Sequence, residues 1–157
     1  MPDARGFNLV IEDWLAKEVP VKAAELQRTI VAETLTVIVQ ATPVGNATKW
    51  KNNVARAAKG LQPLPKGYVG GQARRNWQVT IEAPAQIPLP GTDQSGTAAI
   101  SDGLRVAASI TQPSRVWISN PLPYMEPLEN GWSRQAPQGM VAKAIAAVSA
   151  KYAGGAR

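Results

Sequence analysis

The chain has 157 residues, 45% of them hydrophobic and 18% charged, as expected of one globular domain with one modest core. It contains no His and no Cys, which excludes Ser-His-Asp and Cys-His nucleophile systems, His-ligated metals, thiolate zinc sites and disulfides. Lysine and arginine outnumber acids to give a formal net charge of +6, a balance often found in chains that meet nucleic acid, anionic membranes or acidic partners.

Phe7, Val10, Ile11, Trp14 and Leu15 recur at helical period and predict a helix over 7–18, with Asp3 suited to its N-terminus. Pro20 interrupts and opens a second helix over 21–40, with Ala23, Leu26, Ile30 and Ile38 as its apolar stripe. Thr34 to Val39 is β-branched enough for a strand, but length favours helix. Thr42-Pro43 ends it. Residues 43–73 are broken by Pro and Gly and read as an extended loop, with two helical turns at most between Asn52 and Lys59.

Residues 74–83 alternate Trp77, Val79 and Ile81 against polar neighbours, the pattern of a half-buried strand. Pro84, Pro88 and Pro90 follow in a segment that cannot lie inside a sheet. A helix is expected over 97–110, capped by Ser95 or Thr97 and stopped by Pro113. Arg115 to Ser119 is a short strand, and Trp77 and Trp117 are expected in the core. Tyr124, Met125 and Leu128 mark a short helix or turn. Residues 138–152 form a C-terminal helix through Met140, Val141, Ile145 and Val148, ended by Gly154 and Gly155. The expected fold is α+β: a small antiparallel sheet packed with N-terminal, middle and C-terminal helices, plus a long basic loop. Residues 1–152 make one domain, with the loop at 44–73 and a frayed tail at 153–157. Apolar runs fall well short of the roughly 20 residues of a membrane span, and the Met-Pro-Asp start lacks a signal pattern. A soluble chain made and kept in the cytoplasm is expected.

Between Glu33 and Glu82 there is no acidic residue, while Lys49, Lys51, Arg56, Lys59, Lys66, Arg74 and Arg75 give that stretch a charge of +7. With Trp50 and Tyr68 among the cations, it suits single-stranded nucleic acid; a solvated loop, or one ordered against a protein, is the plainer alternative. Such a loop is expected to be mobile in a free subunit and ordered in an assembly. Glu126 and Glu129 are three apart, a spacing open to acid–base work but more ordinary as an exposed acidic face. Gly67, Gly70 and Gly71 beside Lys66, Arg74 and Arg75 match neither phosphate-binding fingerprint, because a strand follows them instead of a helix. Tyr124, Met125, Trp132 and Arg134 cluster within eleven positions and are residue types that interfaces favour, with an ordinary buried turn as the equal alternative.

Three segments together carry a resemblance: TPVGN at Thr42–Asn46, YVGGQARRNWQV at Tyr68–Val79, and SNPLPYMEPLENGWSRQAPQGMV at Ser119–Val141. In this order the chain resembles, over about residues 40–142, the neck and tail-completion (head–tail joining) proteins of long-tailed bacteriophages. Many relatives carry Asp-Thr-Gly after the TPV, where this chain has Gly45 and Asn46 and a longer basic insertion. The resemblance implies a non-enzymatic virion subunit with no cofactor, no metal and no membrane contact. It implies a homo-oligomeric ring, with a hexamer expected, between connector or portal proteins and tail-tube or terminator proteins. Lys49, Lys51, Arg56, Lys59, Lys66, Arg74 and Arg75 would then line the DNA channel or grip an adjacent ring. Tyr124, Met125, Leu128, Glu129, Trp132 and Arg134 would carry subunit or partner contacts. A tail-terminator subunit and a nucleic-acid-binding protein acting through the basic loop remain alternatives.

Overall fold

The computed structural model describes residues 4–154, with side chains from residue 14 onward. Asp3 and the tail after residue 154 lie outside these residues, as do the side chains of Phe7, Val10 and Ile11. One helix, α1 (Ala4–Ala41), runs through both segments read as separate helices, with Pro20 inside it. Proline forgoes one backbone hydrogen bond, but the flanking Ala, Leu, Lys, Glu and Gln residues are strong helix formers and carry the ladder past it. The helix stops one residue short of Thr42-Pro43, as the proline requires.

The buried face of α1 is Ala24, Val31, Leu35, Ile38 and Val39. This corrects the expected stripe: Ala23 and Leu26 are exposed, Ile30 is half-buried and only Ile38 is in the core. The second half of α1 lies between two other helices, α4 (Thr97–Ala108) and α6 (Val141–Ala153). α4 presents Ala99, Gly103 and Ala107 to the core, one small residue per turn. A Cβ on Gly103 would lie 2.2 Å from Leu35 Cδ2 and 2.9 Å from Val79 Cγ2, so the bare backbone is what lets α1, α4 and the sheet meet.

The sheet has two antiparallel strands, β1 (Gln78–Ile81) and β2 (Val116–Ser119), paired Val79 to Ile118 and Ile81 to Val116. Two strands alone are marginal in water; here they are held against α1 and α4. The fold is therefore α+β, a small antiparallel sheet packed against α1, α4 and α6. β1 is shorter than expected, because Gln72–Arg75 form a helical turn, α3. Trp77 is buried, but Trp117 is 39% exposed, which corrects its expected place in the core. In the register Trp117 opposes Thr80, on the opposite face of the sheet from the Val79–Ile118 pair.

The cap of α4 also differs from expectation. Gly96 occupies the N-cap position, and the buried Asp93 supplies the acceptor. Its carboxylate accepts from the N–H of Gly96 (2.9 Å) and of Ala99 (3.0 Å). Burial pushes the Asp93 carboxyl up, but the Ala99 N–H, the Ser95 hydroxyl and the Gly96 and Ala98 N–H groups outweigh it and hold it below the usual aspartate range. In α6, Met140 and Ala144 are fully buried, whereas Ile145 points to solvent. α1 holds the ends of its neighbours with side chains. Arg28 donates to the Ile110 carbonyl, Gln27 exchanges hydrogen bonds with the Ser114 backbone, and Glu33 takes Lys151 as ion pair and the Tyr152 hydroxyl at 3.1 Å.

Candidate interaction groove

The three distinctive sequence segments converge in space. Thr42 is fully buried, and its Oγ1 accepts from Trp77 Nε1 at 2.7 Å. Gln135 clasps the Val44 backbone, accepting from its N–H at 3.2 Å and donating to its carbonyl at 3.1 Å. The Asn120 amide donates to the Ala73 carbonyl at 2.8 Å, and the Tyr124 hydroxyl donates to Gln72 Oε1 at 3.1 Å. Residues 42–46, 68–79 and 119–141 are thus one bonded unit.

Much of the basic segment's charge is used inside the fold. Arg74 donates to the carbonyls of Thr42 (2.8 Å), Gln94 (2.6 Å) and Gln40 (3.1 Å). Two of these acceptors belong to the C-terminal end of α1, where carbonyls lack helical partners and a cation is favoured. Arg75 pairs with Asp102 of α4 at 2.8 Å, and Arg56 donates to the Gln62 carbonyl at 2.9 Å. Asn76, also buried, holds the proline-rich segment by accepting from Leu89 N–H at 2.7 Å. Lys49, Lys51, Lys59 and Lys66 are the cations of this stretch that project into solvent.

Residues 44–73 are also not simply extended. A 3-10 turn at Ala47–Lys49 leads into α2 (Lys51–Ala57), close to the two turns allowed between Asn52 and Lys59. Asn53 is buried at its centre: its amide donates to the carbonyls of Ala47 and Leu64, both at 2.7 Å, and its oxygen accepts from Leu64 N–H at 2.9 Å. One asparagine folds the segment back on itself, which sequence periodicity does not register.

The aromatic segment divides in the same way. Met125 lies in the hydrophobic core and Leu128 packs against it, both on the short helix α5 (Met125–Glu129). Glu129 reaches the N-terminus of α6, accepting from the N–H of Met140 (2.8 Å), Val141 (2.9 Å) and Ala142 (2.9 Å). Burial pushes its carboxyl up, and the three N–H groups together hold it below the ordinary glutamate value. Gly139, at φ +79°, makes that approach feasible, because a Cβ there would sit 2.5 Å from the Glu129 carboxylate. Glu126 is exposed on the same helix. Trp132 is 77% exposed, and Arg134 is exposed beside it.

What the two segments leave between them is an open groove of about 1510 Å³. Lys49, Trp50, Lys51 and Tyr68 line one part of it, and Tyr124, Leu128, Trp132 and Arg134 another. The Trp50 and Tyr68 rings pack at 4.8 Å between centroids, tilted by 59°. Burial, and the neighbouring Tyr68, push the Tyr124 hydroxyl above its ordinary pKa. Gly67, Gly70 and Gly71 also line the groove. No Asp or Glu lines it, so its potential is positive. Of the seven cations of the basic segment only Lys49 and Lys51 line it; Arg56, Lys59, Lys66, Arg74 and Arg75 do not.

Among the described residues no three acidic side chains gather where they could hold a metal ion, and no helix is long and apolar enough to cross a membrane. Comparison with protein-family models, with curated proteins and with solved structures finds no match to this chain.

Proposed function

We propose that the chain is a ring-forming neck or tail-completion subunit of a bacteriophage, joining the DNA-filled head to the tail around the DNA channel. The observation that carries this reading is the convergence described above. The segments that resemble that family form one hydrogen-bonded unit, and the unit ends in an open groove with Trp132 standing exposed at its side. A large aromatic groove with an exposed Trp and Arg is the composition of a contact surface. The role needs no catalytic group and no cofactor. Its partners are further copies of itself, the connector or portal proteins on the head side, and the tail-tube or terminator proteins on the tail side. Lys49, Lys51, Lys59 and Lys66 are the cations left to face DNA phosphates or an adjacent ring, and contacts of that kind need no base readout.

Deleting the gene from the phage and imaging the lysate tests the role. Full heads beside finished, unattached tails support joining. Normal infectious particles overturn it, and tails of uncontrolled length point to a tail terminator instead. A second reading draws on the Trp50–Tyr68 pair between Lys49 and Lys51, a stacking platform suited to single-stranded nucleic acid. It requires the free chain to bind oligonucleotide with a steep salt dependence.

A further inference from the structure

Between Trp14 and Leu26, α1 is left largely uncovered by the rest of the described chain. From Trp14 to Leu26 every residue is exposed except Pro20, which is half-buried, and Ala24, which is buried. Trp14, Glu18, Val21 and Glu25 recur at i, i+4, i+7 and i+11, a ridge that alternates apolar and acidic residues. Trp14 and Val21 are 49% and 50% exposed. Lys17 and Lys22 lie on either side of this ridge, and Glu18 and Glu25 are the charges on it; the groove sets Lys49, Lys51 and Arg134 beside Trp50, Tyr68 and Trp132, with no acid.

Thirteen helical residues extend about 20 Å. The helix cannot enter the groove of its own chain. Pro43 and Val44, just past the far end of α1, line that groove, while Leu26 lies fifteen residues before the helix end at Ala41, about 22 Å away.

Building on the ring reading, we propose that the exposed stretch of α1 from Trp14 to Leu26 docks into the aromatic, basic groove of the next copy. Glu18 and Glu25 would face its cations, and Trp14 and Val21 its rings. Such a contact uses two different surfaces of one chain, so it propagates head to tail and closes into a ring when the rotation allows.

The test uses the full chain and two exposed double variants, Glu18→Lys/Glu25→Lys on the helix and Lys49→Glu/Lys51→Glu in the groove. Mass is followed by native mass spectrometry and light scattering across concentration, with thermal melts as a folding control. Wild type is expected to assemble. Each variant alone sets like charge against like and loses on the order of a hundredfold in association. Mixed one to one, they restore opposite charges at every contact, and assembly returns with the two chains alternating. Variants that each assemble like wild type overturn the docking while leaving the ring to some other surface. A wild type that stays monomeric at every concentration, with no assembly in the mixture, overturns docking and self-assembled ring together. Groove variants that lose oligonucleotide or acidic-peptide binding but assemble normally assign the groove to another partner and overturn the proposal.

Discussion

Replacing Glu129 with alanine tests whether a carboxylate eleven residues away starts the last helix. Three backbone donors, on Met140, Val141 and Ala142, lie 2.8–2.9 Å from its two oxygens. Losing an N-cap costs about 0.5–2 kcal/mol. Leaving a buried N–H without a partner adds about 1–3 kcal/mol, and here Met140 is fully buried while Ala142 is exposed to water. The sum is about 3 kcal/mol, or a fall in Tm of roughly 6–12 °C for a chain of this size. Glu129→Gln keeps one good acceptor but presents an amide N–H to the remaining donors, so about half that loss is expected. The pH dependence is a second readout. The folded carboxyl titrates below its unfolded value, so its contribution is present above the ordinary glutamate pKa near 4.5 and fades as pH falls through the lower folded value. Thermal melts of wild type and Glu129→Gln from pH 7 down to pH 3 should therefore converge at the acid end. A Glu129→Ala protein within about 0.5 kcal/mol of wild type at pH 7 would refute the reasoning, as would a gap that widens in acid.

Two further outcomes follow from the same bonding. Asn53→Ala removes all three bonds that fold residues 47–64 around one side chain, so trypsin should cut at Lys51, Arg56 and Lys59 several times faster while the main melt moves by only a few degrees; unchanged cutting would show the segment is held by other contacts. Arg74→Lys replaces a fork that reaches three carbonyls with a single ammonium, and a loss of about 2 kcal/mol in chemical denaturation is expected, whereas a charge acting only at the surface would leave stability unchanged on that substitution.

Apolar periodicity located α4, the second half of α1 and most of α6 as helices but did not give their buried faces, since Leu26, Leu104 and Ile145 are exposed. It failed where the face was set by distant chain. The stripe through Ala23 and Leu26 is as regular as the one through Ala24 and Val31; only the third dimension puts Ala24 inside, beside the stretch where Gln27 and Arg28 hold residues 110–114. Trp117 obeys the alternation of its strand, but a two-stranded sheet lying on a helical layer has one face open to water, and the size of a residue does not say which face it takes. Glu129 caps a helix from outside the helix's own sequence, so no local capping box announces it. Asp93 stands six residues before Ala99, whose N–H it holds, again beyond the usual cap spacing.

The charges of residues 34–81 show how a linear count misleads and how the structure corrects it. A run of seven cations without an acid reads as one positive surface. Two of the seven, Arg74 and Arg75, instead close the end of α1 and tie α3 to α4. The same subtraction applied to the aromatic segment removes Met125 to the core and Glu129 to α6. Tyr124, Trp132 and Arg134 then remain on one side of the groove, with Lys49, Trp50, Lys51 and Tyr68 on the other. A fold has no use of its own for an exposed tryptophan beside unpaired lysines, since burying the ring and neutralising the charge would both stabilise it. The residues the fold leaves unused are therefore the ones to mutate first for assembly. The residues it uses belong to the stability experiments, and a variant of Arg74 or Glu129 that fails to assemble says nothing about the ring until its folding has been measured.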